Sequence, residues 1–185
     1  MKTATKSQAN KLLNYLSAKD QNKPHLMKEA FTPSATLKME VKTENISFPS
    51  TAIGLDAITD VLIKKFSATY ENIYTFCLPD SVVSNDDSLS CNWLVAMSDK
   101  ASGNVRIGCG QYHWHFDNEA DGLADALIIN IEQMLVLTPE SADQVLGWVS
   151  KLPYPWCDSS AMFQTMPQLD VLAPIKAQMT SEKTP

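Results

Sequence analysis

Helical and strand-like spacings of apolar residues follow one another along this chain in a definite order. After a polar lead, Ala9, Leu12, Leu13 and Leu16 recur at steps of three and four, and the pattern stops at the turn-rich Lys19-Asp20-Gln21-Asn22. This predicts a first helix over Gln8 to Lys19. Pro24 stands where a helix tolerates it, in the first turn of a short second helix whose apolar stripe is Leu26, Met27, Ala30 and Phe31. Thr32-Pro33 stops that helix. From Ser34 to Val41 the residues alternate, with Ala35, Leu37, Met39 and Val41 on one face and Ser34, Thr36, Lys38 and Glu40 on the other, the mark of a half-buried strand. Lys42 to Ala52 is polar, contains Pro49 and predicts a loop. Gly54 then introduces Leu55, Ile58, Leu62 and Phe66, a third helix over Leu55 to Ala68.

Four segments rich in β-branched and aromatic residues follow: Ile73 to Leu78, Ser88 to Ser98, Asn104 to Phe116 and Asp125 to Leu137. Pro79-Asp80, Asn85-Asp86-Asp87, Asp99 to Gly103 and Asp117 to Gly122 supply the turns between them. Helices first and a meander of strands afterwards is the α+β pattern, a curved antiparallel sheet with helices on one face. Pro139 opens a last helix with Val145, Leu146 and Val149 apolar, ending before Pro153. The expected domain is 8–150. From Cys157 to Pro185 the composition turns to Ser, Thr, Gln, Lys and Pro, which predicts a loosely ordered extension, although Met162, Phe163, Leu169, Val171, Leu172 and Ile175 could pack on a surface or a second subunit.

Composition narrows the function classes. The 185 residues are 44% hydrophobic and 19% charged, within the range of globular proteins. Fifteen Lys and Arg against twenty-one Asp and Glu give a net charge of −6 with the basic residues scattered, so nucleic acid is not an expected partner. The longest apolar run, Ala126 to Ile129, is far short of a membrane span, and Met1 to Lys11 lacks the apolar core of a signal peptide. No membrane association and a cytoplasmic location are therefore expected, and Asn45-Ile46-Ser47 is a chance match to a glycosylation acceptor. Cys77, Cys91, Cys109 and Cys157 fit neither a redox pair nor a zinc ribbon and read as free thiols.

Three local signatures resemble the SnoaL-like branch of the NTF2-like superfamily, which has a cystatin-like fold. Tyr15-Leu16-Ser17-Ala18-Lys19-Asp20, leading to Ala30-Phe31-Thr32-Pro33-Ser34-Ala35-Thr36, is similar to that family's opening helices and the start of its first strand. Gly54-Leu55-Asp56-Ala57-Ile58 is similar to its Gly-x-x-x-Ile helix start, and Gly110-Gln111-Tyr112-His113-Trp114-His115-Phe116 to its Gly-x-Tyr-x-x-x-Phe penultimate strand. The resemblance spans Gln8 to Leu137. It implies an α+β cone, a curved antiparallel sheet wrapped around N-terminal helices, with a ligand cavity inside. Its members include steroid isomerases, dehydratases, polyketide cyclases and non-catalytic binding or transport proteins, so the fold leaves the reaction open. In the isomerase-like members a first-strand Asp removes a proton while a helix-one Tyr and a penultimate-strand Asp hold the oxyanion. Here those positions fall near Met39, Leu12 and Tyr112, and a thioether cannot serve as a base. Glu40 has the right chemistry but, one step along the strand, lies on the opposite face.

Tyr15 lies three residues beyond Leu12 on a related helix face. Tyr112, Trp114 and Phe116 share a strand face that points inward in this family, and with Trp93, Val95 and Met97 they would line an aromatic pocket with two phenolic donors. The candidate ligand-binding residues are therefore Tyr15, Met39, Trp93, Tyr112 and Trp114, and the ligand class is a small hydrophobic or aromatic molecule. No cofactor is expected. His113, His115 and Asp117 share the opposite face at a spacing that metal ligands can have, but a strand-surface pair of this kind reads as polar residues, and no metal is assigned. That outer face, with Cys109, Gln111, His113 and His115, needs water or a second copy, hence an expected homodimer through the sheet face. Gly108 and Gly110 mark a bend in the sheet ahead of room for a ligand. No nucleophile elbow or phosphate-cradling loop is present. Three functions remain: a binding protein with no assignable catalysis, an isomerase, dehydratase or cyclase using Tyr15 and Tyr112 with Glu132 or Glu40 as base, and a protein-interaction module with a packed cone.

Overall fold

The computed structural model describes residues 3–181. Helix α1 spans Lys6–Asp20, starting two residues earlier than the apolar spacing indicates. The reason is a capping box: the Thr5 hydroxyl accepts from the Gln8 amide (3.2 Å), and the Thr5 amide donates to the Gln8 side chain (3.0 Å). A 3₁₀ helix at Pro24–Glu29 replaces the short second helix, and strand β1 runs over Phe31–Val41. The segment expected to be all loop contains a short strand β2, Thr51–Ile53, which pairs antiparallel with β1. The third helix is continuous but irregular: α2 (Leu55–Thr59) passes into a π-helical stretch, Asp60–Lys65, and then into α3 (Phe66–Thr69).

Strands β3 (Tyr70–Cys77), β4 (Val83–Ser84), β5 (Ser88–Asp99), β6 (Val105–Asp117) and β7 (Leu123–Leu137) follow. The sheet order is β2-β1-β7-β6-β5-β3, with β4 beside β5. The meander is antiparallel as the turn spacing predicts, whereas β1 returns to lie parallel to β7. Helix α1 and the helical run 55–69 pack on the inner face, against Leu37, Met39, Trp93, Tyr112, Trp114, Ile129 and their neighbours.

A bulge interrupts the β6–β7 pairing, where Cys109 faces Gln133 and Gly110 faces Ile131, leaving Glu132 as the extra residue. Gly110 is required there. A Cβ on it would stand 1.8 Å from the Asn130 carbonyl oxygen and 2.9 Å from the Trp93 ring, which lies opposite in register and covers the glycine. The bend expected at Gly108 and Gly110 is thus this bulge.

The C-terminus departs from expectation. After a 3₁₀ turn at Pro139–Ser141 and helix α4 (Ala142–Val149), the chain forms α5 (Ser159–Thr165), a turn at Asp170–Leu172 and α6 (Ala173–Ser181). The described part of 157–185 is not a loose extension: Met162, Leu172, Ile175 and Met179 are at most 3% exposed. With Val145, Trp148 and Val149 they cover the outer-face residues Leu94, Ala96, Val105, Ile107 and Cys109, making a second core. Composition misleads because the apolar residues are few and separated by polar ones, yet Met162, Leu172 and Ile175 fall on the buried side, while Val171 stays 46% exposed. Residues 155–157 also extend the sheet at the β3 edge: the Cys77 amide donates to the Pro155 carbonyl (2.8 Å), and the Cys157 amide to the Cys77 carbonyl (3.1 Å). Over the apolar half of the outer face the cover therefore comes from the chain itself. Gln111, His113 and His115 make up the polar half that remains.

Candidate functional site

Between α1, the 55–69 helical run and the inner face of the sheet lies a cavity of about 40 Å³. Four of the five residues read from the sequence line it: Tyr15 from α1, Met39 from β1, Trp93 from β5 and Tyr112 from β6. The fifth, Trp114, does not. It fills the narrow end of the cone, stacked on Phe31 (5.2 Å between centroids) and Phe116 (6.0 Å). The sequence places it on the correct face, but position along a strand within a cone decides between cavity and packed apex.

The lining is mostly apolar and soft. Met39, Met97 and Met134 converge with Val95, Ile129, Ile131 and Leu62, and unbranched thioethers adapt to irregular partners. One wall comes from the loop between β1 and β2, through Ile46 and Phe48, and Phe48 stacks on Phe66 at 6.4 Å. The loop is held at Asn45, whose amide donates to the Met134 carbonyl (2.6 Å) and whose own carbonyl accepts from Arg106. Arg106 is in turn paired with Asp99 at 2.6 Å. Neither Ile46 nor Phe48 stands out in the sequence, except that an aromatic residue in a polar loop is a reason to suspect burial.

The polar groups cluster on the α1 side. Tyr15 and Tyr112 are hydrogen-bonded through their hydroxyls, with rings edge to face at 5.9 Å. Burial pushes both phenols up, so both are neutral hydroxyls near pH 7. One turn beyond Tyr15, Lys19 also lines the cavity although only 6% of it is exposed. Its ammonium donates to Asp20 Oδ1 (2.7 Å) and to Thr75 Oγ1 (2.6 Å) and lies 5.0 Å from the Phe66 ring centroid. Asp20 further accepts from the Thr75 amide (2.7 Å), the Thr75 hydroxyl (2.9 Å) and the Tyr154 hydroxyl (3.0 Å). This network escapes a reading that ends the helix at a charged turn cluster. Its signal is present, since Lys19 extends the Leu12, Tyr15/Leu16 spacing by one more step.

The carboxylates considered as bases lie elsewhere. Glu40 is paired with Lys38 (2.5 Å) on the outer face, and Glu132 at the bulge is paired with Lys42 (2.7 Å). Asp20 is saturated by four donors and stands behind Lys19. Among the described residues the lining contains no carboxylate or imidazole, so it offers hydrogen-bond donors and apolar surface but no group to take a proton from carbon. On the outer face His113 meets Ser90 (2.9 Å), whereas His115 meets Asp125 (2.6 Å), a carboxylate that raises its pKa. No group of three metal-ligating side chains is brought together among the described residues. None of the described helices is long and apolar enough to cross a membrane.

No protein-family model matches the chain, and no curated protein does. Solved structures match it along the cone. A provisionally assigned isomerase from Rhodopseudomonas palustris superposes with a TM-score of 0.58 at 13% identity, covering 78% of this chain and 98% of its own. An NTF2-like protein of unknown function from Burkholderia pseudomallei K96243 gives 0.55 at 12% identity, over 69% of this chain and 92% of its own. A protein with a ketosteroid isomerase-like fold from Catenulispora acidiphila DSM 44928, in complex with trimethylamine, gives 0.52 at 11%, over 64% and 82%. The chain has the NTF2-like fold, the α+β cone that its three local signatures resemble.

Proposed function

We propose that the protein binds a small apolar molecule inside the cone and does not transform it. The observation that supports this is the lining itself: three methionines, aromatic rings and branched aliphatic side chains around a few donors, with no base. The isomerase name carried by one similar structure belongs to that protein. By the resemblance, the first-strand position where the isomerase-like members of the family carry the base falls near Met39.

A cavity of about 40 Å³ is smaller than the ~150 Å³ that admits benzene in an apolar protein core. Binding of anything larger than a few heavy atoms therefore goes with displacement of side chains. Two features favour this: the methionines can change rotamer at little cost, and Ile46 and Phe48 come from a loop rather than from the sheet. The side chains that would have to give way are the methionines and the loop residues Ile46 and Phe48, next to the anchor at Asn45.

The experiment is mass spectrometry of compounds released when purified protein is denatured, together with a thermal-shift screen of small apolar molecules. Binding predicts a released compound or a melting temperature that rises with concentration. Protein that releases nothing and whose melting temperature no compound raises is a packed cone, and the proposal fails.

A further inference from the structure

We propose that residues 43–49 are the gate of the cone and that Arg106, holding Asn45, is the latch that sets how often it opens; this rests on the binding reading above and concerns the regulation of that site. The inference comes from asking which part of the cavity wall can move at least cost. Every lining residue except Ile46 and Phe48 belongs to a helix or a strand and is held by the backbone hydrogen bonds of that element. The segment that carries these two has no such ladder. It is pinned at its ends, where the Lys42 amide donates to the Ile131 carbonyl (2.9 Å) and the Ser50 carbonyl accepts from the Met39 amide (2.9 Å). Between those ends, among the described residues, its hydrogen bonds to the rest of the fold are all at Asn45. The Asn45 side-chain amide donates to the Met134 carbonyl (2.6 Å), and the Asn45 carbonyl accepts from Arg106. The remaining bond of Asn45, from its backbone amide to the Thr43 hydroxyl (3.3 Å), stays within the segment.

Arg106 is held firmly enough to act as a latch. Its Nε and Nη2 donate to the two carboxylate oxygens of Asp99 (2.6 and 3.2 Å), which fixes the plane of the guanidinium and leaves Nη1 for the Asn45 carbonyl. The same guanidinium lies 5.5 Å from the centre of the Tyr70 ring. Tyr70 meets Phe66 at 4.9 Å, and Phe66 meets Phe48 at 6.4 Å. Asn45, Arg106, Tyr70, Phe66 and Phe48 therefore close a circuit of contacts that starts and ends on the segment.

Without Arg106, one neutral hydrogen bond and the apolar contacts of Ile46 and Phe48 remain to hold the segment down. Arg106 and Asn45 themselves lie outside the cavity lining, so the latch governs access and not the fit of what is held.

The test reads opening with hydrogen peroxide as the probe, which converts an exposed methionine thioether to the sulfoxide and is itself reduced to water. Met39, Met97 and Met134 line the cavity and are at most 6% exposed; Met27 and Met162 are also buried, at 1% and 0%, but lie outside it. Oxidation of each is followed by peptide mass spectrometry in the full chain, as wild type, Asn45→Ala and Arg106→Gln. The rates at the three lining methionines then follow the open population of the segment. They are expected to rise roughly three- to tenfold in Asn45→Ala, the effect of one neutral hydrogen bond, and roughly ten- to a hundredfold in Arg106→Gln, the effect of one from a charged donor. Met27 and Met162 should keep their wild-type rates. Unchanged rates at the lining methionines overturn the gate, and so does a rise shared by Met27 and Met162, which is the mark of global unfolding. If Arg106→Gln does not fold, Asn45→Ala, at an exposed loop position, decides alone. Peroxide reads opening without a ligand, whereas the released compound and the melting screen read binding, so a failure of the gate and a failure of the binding reading are told apart.

Discussion

Replacing Ile175 by alanine tests whether the C-terminal helices are part of the folded core. Ile175 is 0% exposed on α6, which lies on β6 and β7, and its neighbours in the outer core include Met162, Leu172 and Met179. Ile175→Ala removes three buried carbons and leaves a space that the rigid sheet beneath cannot close. Substitutions of this kind cost about 2–5 kcal/mol, and about 3 kcal/mol is expected here. In a domain of this size each kcal/mol lowers the melting temperature by about 2–4 °C, so a loss of about 6–12 °C is predicted. Val171→Ala is the control, because Val171 belongs to the same segment and is 46% exposed; it should change stability by less than about 0.5 kcal/mol. Both are measured by thermal melting and by urea unfolding, where an unchanged m value shows that the same cooperative unit unfolds. If Ile175→Ala melts with the wild type and with Val171→Ala, the helices are not held by the sheet and the second core does not contribute to stability. Truncation after Trp156 is the more severe form of the same test. It removes α6 from β6 and β7, exposes the outer face around Ile107 and Cys109 and should yield an aggregating protein, whereas a monodisperse truncated chain would contradict the packing argument.

Lys19→Met leaves Asp20 buried without its cation and should cost about 3–5 kcal/mol in urea unfolding; the double variant Lys19→Met/Asp20→Leu should recover part of that loss, and a single variant as stable as wild type refutes the network. Gly110→Ala should cost about 3 kcal/mol or prevent folding, because the Cβ would overlap the Asn130 carbonyl; a normal melting curve would show that the bulge can relax. His115 should titrate above an ordinary histidine in an NMR pH series, since Asp125 accepts from it, and Asp125→Asn should bring it down. Because its folded pKa is raised, the stability it lends is complete below the unfolded pKa and fades as pH rises through the folded one; a histidine that titrates identically in both proteins would remove the pair.

The order of elements is written in the sequence because each is a local pattern. The alternation from Ser34 to Val41 can satisfy only a strand with one buried face, and the stripe of Leu55, Ile58, Leu62 and Phe66 only a helix against a core. Period also puts Tyr112 and Trp114 on one face of β6, and the resemblance to the NTF2-like family implied that this face points inward, which together let Tyr15, Met39, Trp93 and Tyr112 be named as one wall. Neither could tell Trp93, beside the cavity, from Trp114, locked between Phe31 and Phe116, because depth along a tapering cone is set by where other strands cross. Lys19 belongs to the same class: its charge reads as solvent-facing until Asp20 and Thr75, 55 residues away along the chain from Asp20, are brought around it. The parallel return of β1 onto β7 likewise has no local signature, since its partners are 90 residues apart in sequence. The C-terminal helices are the clearest case. Their polar composition is that of a tail, and only the apolar outer half of a sheet built from residues far upstream makes Met162, Leu172 and Ile175 a core, because burial is a property of the surface a residue meets and not of the segment that carries it.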